Sequence, residues 1–373
     1  MARLRIDNPE ALNLDPAALR RADELVQRWV TEDRIPAAGW IVGRRGRTID
    51  QRLVGRQRPA KDAPALAKDA LFLIASITKP VTVAAVMMLV ERGRLALDDR
   101  VADIVPAFAA HDKRDVQVRH LMTHTSGLPD MLPDNEKLRR THSQLPAFIQ
   151  ETCRLKLLFP PGTRVSYQSM GTAMLAEIVH QIAGMTLADF LAKEVFGPLE
   201  MNDTSLGCPA NRRERVAHVR VPKELEKADW NWNSAYWLGF GAPWGGLVTT
   251  PSDFARYCQM MLNGGVLGKV RILSPASVRA MTSNQLAAMP RVPEEDRRCK
   301  PWGLGWRLNW PAHSANFGDL LGPRTYGHWG STGTLCWIDP DTESYFILFT
   351  TQPQEPDGRF LARLSNTIAA GLL

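Results

Sequence analysis

The sequence predicts an α+β fold, an α/β sandwich in which an antiparallel sheet built from both ends of the chain is flanked by helices and carries an all-helical insertion. Three observations lead there. Strand-like patterns occur near both ends of the chain, the stretch between them is helical in period, and a proline fixes the start of a long apolar segment, "PVTVAAVMMLV" from residue 80. The change of pattern sets the boundaries: 1–112 and 233–373 for the sheet-containing domain, 113–232 for the mostly helical insertion, with the active site at their junction. A chain of 373 residues is long for a single core, which fits such a division.

Residues 16–33 have helical periodicity, and "AAGWIVGRRGRTIDQRLVG" after them reads as two strands joined at a glycine-containing turn. Pro80 lacks an N–H and clashes with a preceding turn, so it is tolerated only in the first turn of a helix. That helix must start around Ser76 to Lys79 and run to about Glu91 or Arg92, with Gly93 as its stop. Further helices are expected in "VRHLMTH", "SQLPAFIQETCR", "MGTAMLAEIVHQIAG", "TLADFLAKEVF" and the Thr- or Ser-capped "TTPSDFARYCQMMLNGG". "GLGWRLNW", "TYGHWGSTG", "TLCWIDP" and "SYFILFTTQ" read as strands, and "GRFLARLSNTIAAGLL" as a closing helix.

Bulk properties exclude several function classes. Hydrophobic content is 45% and charged content 23%, ordinary for a soluble globular protein, and no apolar run is long enough to span a membrane. The N-terminus lacks the apolar core of a signal peptide, so a cytoplasmic location is expected. The five cysteines, Cys153, Cys208, Cys258, Cys299 and Cys336, form no close pair and are expected as reduced thiols. The net charge of +7 comes from short basic groups mixed with acids, which reads as a solvated surface, not a nucleic-acid footprint. No cofactor is implied, and the oligomeric state stays open.

The chemistry starts at "IASITKP". A lysine inside a greasy segment is costly unless something uses it. Ser76 falls at the positive end of the helix and Lys79, three residues on, shares its face. Taken alone, the pair also fits a capping serine with a snorkelling lysine. The nucleophile elbow G-x-S-x-G is absent; its nearest approach, Ser169 in "YQSMG", has tyrosine where the first glycine belongs. Tyr167 follows a Pro-Gly turn just before an amphipathic helix. His328 lies in a strand with Gly327, Gly330 and Gly333, whose glycines imply either a turn or a close backbone approach.

Together, Ser76-Ile77-Thr78-Lys79, Tyr167-Gln168-Ser169 and His328-Trp329-Gly330-Ser331 resemble the serine β-lactamase and penicillin-binding-protein superfamily. Within it the chain is most similar to the class C-like branch that includes family VIII carboxylesterases and D-amino-acid peptidases. The resemblance covers about residues 15 to 365. It implies a β-lactamase/transpeptidase-like fold and an acyl-enzyme on Ser76. Lys79 would have its pKa lowered by burial, by up to ~3–5 units. Tyr167 would be the main general base, provided nearby positive charge favours its phenolate. The oxyanion hole would be the backbone N–H groups of Ser76 and Ser331.

Two departures bear on the substrate. Where the branch carries the lysine of K-T-G, this chain has His328, and neutral imidazole is a poor carboxylate anchor. Where the second motif usually ends in asparagine, it has Ser169. Both favour a small-molecule ester over a β-lactam or peptide. Ser169, His328, Trp329 and Gly330 are therefore expected to bind substrate. "DWNWNSAYWLGFGAPWGG" packs Trp230, Trp232, Tyr236, Trp237, Phe240 and Trp244 together. These aromatics could line an acyl pocket, with Trp237 and Trp244 the better candidates, or close the junction between domains. His120 and His124 have a metal-pair spacing without a third ligand, so a structural role is expected and no metal. Asp130, Asp253 and Arg256 are expected as caps and ion pairs. The leading expectation is a carboxylesterase on small to medium acyl esters. The alternatives are a weak β-lactamase, a D-amino-acid peptidase or amidase, or an inactive acyl-ligand-binding homologue.

Overall fold

β-Branched and aromatic residues concentrate in segments at the two ends of the chain, and these meet in one sheet. In the computed structural model, which describes residues 4–310, 316–353 and 359–373, Ala37–Arg44 pairs antiparallel with Ser344–Thr350, Ile41 opposite Ile347. The sheet continues through Thr334–Asp339, Tyr326–Gly330 and Arg307–Leu308 on one side. On the other, Arg52–Gly55 closes the N-terminal hairpin. The predicted α+β class holds.

The central strands 37–44, 334–339 and 344–350 are buried at every position, so helices must cover both faces. Phe346 and Phe349 differ by an odd number of residues and point to opposite faces. Phe346 packs with Trp337, whose indole N–H donates to Ser365 Oγ (2.9 Å) in the terminal helix Arg359–Ala369. That helix meets the first helix, Pro16–Thr31, through Trp29 and Phe360. Phe349 instead packs edge-on against Phe254 of Pro251–Leu262. Gly358, the expected start of the closing helix, lies outside the described residues. No single helix among the described residues is long and apolar enough to cross a membrane.

Two differences from expectation concern strands. The stretch read as all-helical contains Ser205–Leu206, which pairs with Leu247–Thr249, itself paired with Phe72–Leu73. The "GLGWRLNW" strand is reduced to Arg307–Leu308. The small sheet matters because Phe72–Leu73 leads directly into Ser76.

The Pro80 helix begins as placed: a 3₁₀ turn at Ala75–Ile77 runs into an α-helix at Thr78–Glu91. It is apolar all round and buried from Thr78 to Leu89, as a central helix must be. At its start Ala75 takes a left-handed φ of 46°, a strained conformation for a residue with a Cβ. Threonines hold that turn by its carbonyls. Thr332, Thr334 and Thr78 donate to the carbonyls of Leu73 (2.7 Å), Ile74 (2.9 Å) and Ala75 (2.6 Å). Two of those threonines come from the edge of the main sheet, so the nucleophile turn is clamped to it.

Gly330 makes the clamp possible. A Cβ there would lie 2.4 Å from the Ile74 carbonyl and 3.0 Å from the Ala75 Cβ. Gly330→Ala should therefore force the edge strand off the turn. The expected result is a loss of ~1–3 kcal/mol in denaturant unfolding together with loss of Ser76 reactivity. Full retention of both would show that the strand can move without disturbing the turn.

Candidate active site

The helix start delivers two side chains on one face, and burial does the rest. Lys79 is 1% exposed, and its ammonium donates to Ser76 Oγ (3.0 Å) and to the Trp244 carbonyl (3.1 Å). Among the described residues no carboxylate bonds to it. Desolvation therefore pulls Lys79 down from 10.5 to about 7, against a smaller upward pull from Asp130. Neutral amine is thus abundant at physiological pH.

Tyr167 closes the group. Its phenol hydrogen-bonds to Ser76, and the Lys79 nitrogen lies 4.6 Å from its ring centroid. Rings hold it in place: His124 at 4.6 Å, Trp302 at 6.0 Å and His328 at 6.0 Å between centroids. The segment 124–126 latches the tyrosine's own extended segment just before the helix Met170–Ala183. His124 Nδ1 accepts the Gln168 N–H, its carbonyl accepts from Ser166, and Ser126 donates to Gln168 Oε1. Burial raises the Tyr167 phenol far above its usual 10, and its bond to Ser76 offsets this only in part. The positive charge expected to favour a phenolate does not overcome that burial, so the phenol holds its proton at neutral pH.

These residues face a cavity of about 640 Å³. Of the residues read as substrate-binding or oxyanion-forming, Ser76, Ser331, Ser169, Trp329, Trp237 and Trp244 line it. His328 and Gly330 do not. Strand alternation sends them to the opposite side from Trp329 and Ser331. His328 is 1% exposed behind Tyr167, with Nδ1 at 2.7 Å from the Trp329 carbonyl oxygen. Burial, with Lys79 adding to it, drops His328 to about 3, so it stays neutral. Gly330 serves the nucleophile turn, as described above. A larger depression of about 980 Å³ around Arg58, His142 and Tyr236 contains none of the predicted residues.

The aromatic stretch divides between its two expected roles. Trp232, Trp237 and Trp244 line the cavity, while Phe240 packs between Trp237, Trp244 and Phe148 of the helical region. Asp253 is an acceptor for Asp203 N and Thr204 Oγ1, a structural role. Asp130 departs from its expected role as a cap or ion pair: it lines the cavity and accepts from Ser169 Oγ at 2.7 Å. His120 Nδ1 accepts the Gln117 N–H at a helix start.

Arg307, Trp302 and Arg139 also line the cavity and were not singled out from the sequence. Arg307 is 5% exposed and, among the described residues, donates to the Pro301 and Cys299 carbonyls. A lone arginine between apolar residues in "GWRLNW" is the same signal that flagged Lys79. The others depend on segments far apart in sequence.

The family model for Beta-lactamase matches residues 22–370. This chain belongs to the Beta-lactamase family. A Mycobacterium tuberculosis H37Rv protein, Rv1367c, is 31% identical over 311 residues, covering 74% of this chain and 76% of the relative. An Escherichia coli K12 protein named as a candidate D-alanyl-D-alanine carboxypeptidase is 28% identical over 316 residues, covering 77% and 70%. A penicillin-binding protein homolog from Caulobacter crescentus has a TM-score of 0.78 at 22% identity, covering 95% of this chain and 98% of that one. A family VIII carboxylesterase has a TM-score of 0.77 at 21% identity, covering 96% and 99%. The Beta-lactamase-family chain is thus a hydrolase of the serine β-lactamase and penicillin-binding-protein superfamily.

If neutral Lys79 is the working base, kcat/KM for an activated ester should rise with pH through an apparent pKa near 7 and then level off. A flat profile across pH 6–8 would remove the lysine from that role. The same burial has a stability consequence. Folding weakens the amine's hold on its proton, so the unfolded chain binds more protons from about pH 7 to 10.5, and stability from this group rises across that window. Relative to Lys79→Met, the wild type should therefore gain stability as pH increases from 7 to 10. The variant should also lose ~10²-fold or more in turnover.

Proposed function

We propose that the protein is a carboxylesterase acting on small to medium acyl esters through an acyl-enzyme on Ser76. The observation that carries this reading is the convergence of Ser76, Lys79 and Tyr167 at one wall of a tryptophan-lined cavity. In the proposed course, neutral Lys79 takes the proton of Ser76 Oγ as the oxygen attacks the ester carbonyl. The N–H groups of Ser76 and Ser331 receive the oxyanion; one such donor is typically worth ~10²–10³ in rate. Tyr167 gives its proton to the departing alkoxide, and the Lys79 ammonium beside it restores that proton. Water then attacks the acyl carbon, giving a proton to neutral Lys79. The Lys79 ammonium returns it to Ser76 Oγ as the bond from that oxygen to the acyl carbon breaks and the acid leaves.

Several features support an ester over a β-lactam. His328 is neutral and away from the cavity, and Ser169 is engaged by Asp130. Two structurally similar proteins are a family VIII carboxylesterase and EstCE1, a hydrolase with promiscuous acyltransferase activity. A second reading, a D-amino-acid peptidase, is favoured by Arg307, a buried cation with no carboxylate partner among the described residues and so suited to a terminal carboxylate.

Turnover of p-nitrophenyl butyrate with negligible nitrocefin hydrolysis is the expected outcome, abolished in Ser76→Ala; the reverse ranking would overturn the esterase reading. A fluorophosphonate should add to Ser76 by mass spectrometry, and no adduct would favour an idle acyl-binding homologue. Release of D-alanine from a D-alanyl-D-alanine peptide, faster than ester cleavage and lost in Arg307→Met, would instead favour the peptidase.

A further inference from the structure

The cavity has two ends, and Tyr167 tells them apart. In the proposed reaction, on which this inference rests, the leaving oxygen must lie beside the Tyr167 phenol. That phenol packs against Trp302, and Arg307 sits 5.7 Å from the Trp302 ring centroid. The alcohol half of an ester therefore departs toward Trp302 and Arg307. A separate hydrophobic cluster, Trp237 and Trp244 with Met131 and Trp232 packed against it, lines the rest of the cavity, apart from the cluster of Trp302 and Tyr167, and in the proposed course the acyl half extends there.

At that acyl end the helix Asn135–Arg140 presents two polar side chains to the cavity. The Arg139 guanidinium stacks 4.1 Å from the Trp237 ring centroid and 5.2 Å from that of Trp230. One terminal nitrogen donates to the Trp230 carbonyl (2.9 Å), whereas its Nε–H is buried with no partner. The Trp237 indole N–H and the Asn135 side-chain oxygen are likewise buried without partners. No carboxylate forms an ion pair with Arg139 among the described residues; Glu136, on the same helix, pairs with Arg140. Stacking on indole rings satisfies the cation's face, and the Trp230 carbonyl takes one in-plane donor, but the Nε–H is left unused. The Asn135 amide, turned about its last bond, would add an N–H donor. Unfilled donors around a half-buried guanidinium fit one ligand chemistry best, a carboxylate held by the planar fork of arginine.

We propose that the acyl group of the substrate ends in a carboxylate, bound at this end of the cavity by Arg139 with Trp237 and Asn135. The substrate is then a monoester of a dicarboxylic acid, and Arg139 is the residue that selects it.

Mono-p-nitrophenyl adipate and suberate, each compared with its methyl-capped diester, test this by differing only in charge at the acyl end. In the wild type kcat/KM for the acid should exceed that for the capped ester about tenfold or more for at least one chain length. That ratio should fall about tenfold in Arg139→Met, whatever the absolute rates, and recover in part in Arg139→Lys. Equal turnover of acid and capped ester at both chain lengths, or a ratio unchanged in Arg139→Met, would overturn the inference while leaving the esterase reading intact. Turnover of neither, with Ser76 unlabelled by fluorophosphonate, would overturn both. Should the variants fail to fold, inhibition of the wild type by free adipate against hexanoate decides. Adipate should be the stronger competitor, and equal inhibition would sink the idea.

Discussion

The removal of one ammonium group from water is the constraint around which this molecule is arranged. Lys79 sits on a helix apolar on every side, and among the described residues its hydrogen-bond partners are a hydroxyl and a backbone carbonyl. A carboxylate partner would have restored the charge and fixed the amine as a cation. With none bonded to it among the described residues, the pull of Asp130 offsets desolvation only in part, and the amine becomes poised near neutrality. The cost to stability is what the proposed use of the amine as a base requires, a trade common where groups with shifted pKa do chemistry.

Holding Ser76 at that amine requires strained backbone and a rigid surround. Ala75 in a left-handed conformation turns the chain sharply between strand and helix, and threonine hydroxyls from the helix and from the main sheet tie the carbonyls of Leu73, Ile74 and Ala75. His124, also left-handed at φ 60°, is held neutral by burial and acts as a hydrogen-bond acceptor and a ring support for Tyr167. The strain lies on both sides of the reacting hydroxyl, where tertiary contacts over-determine it.

The cavity combines a rim of indoles with a few charges that lack conventional partners. Tryptophans supply area for an apolar chain, and Arg139 and Arg307 stack on rings with carbonyls as their acceptors among the described residues. Burial lowers both guanidinium pKa values to about 10, which leaves them charged at any physiological pH. Two permanent cations in the lining of one cleft make charge, as well as shape, a determinant of what enters.

The sequence alone determined the main elements and the shared face of Ser76 and Lys79 because both depend on local rules. Pro80 set the helix start, a spacing of three set Ser76 and Lys79 on one face, and apolar runs at both ends forecast the sheet. It left three things to the tertiary structure. Strand alternation turned His328 and Gly330 away from the cavity, because the register is fixed by pairing with Thr334–Asp339 and not by the motif's letters. The protonation of Tyr167 followed from the rings packed around it, His124, Trp302 and His328, which come from three separate segments. Asp130, Arg139 and Arg307 reached the site only by folding, since a side chain's neighbours across distant segments are set by packing that no local pattern encodes.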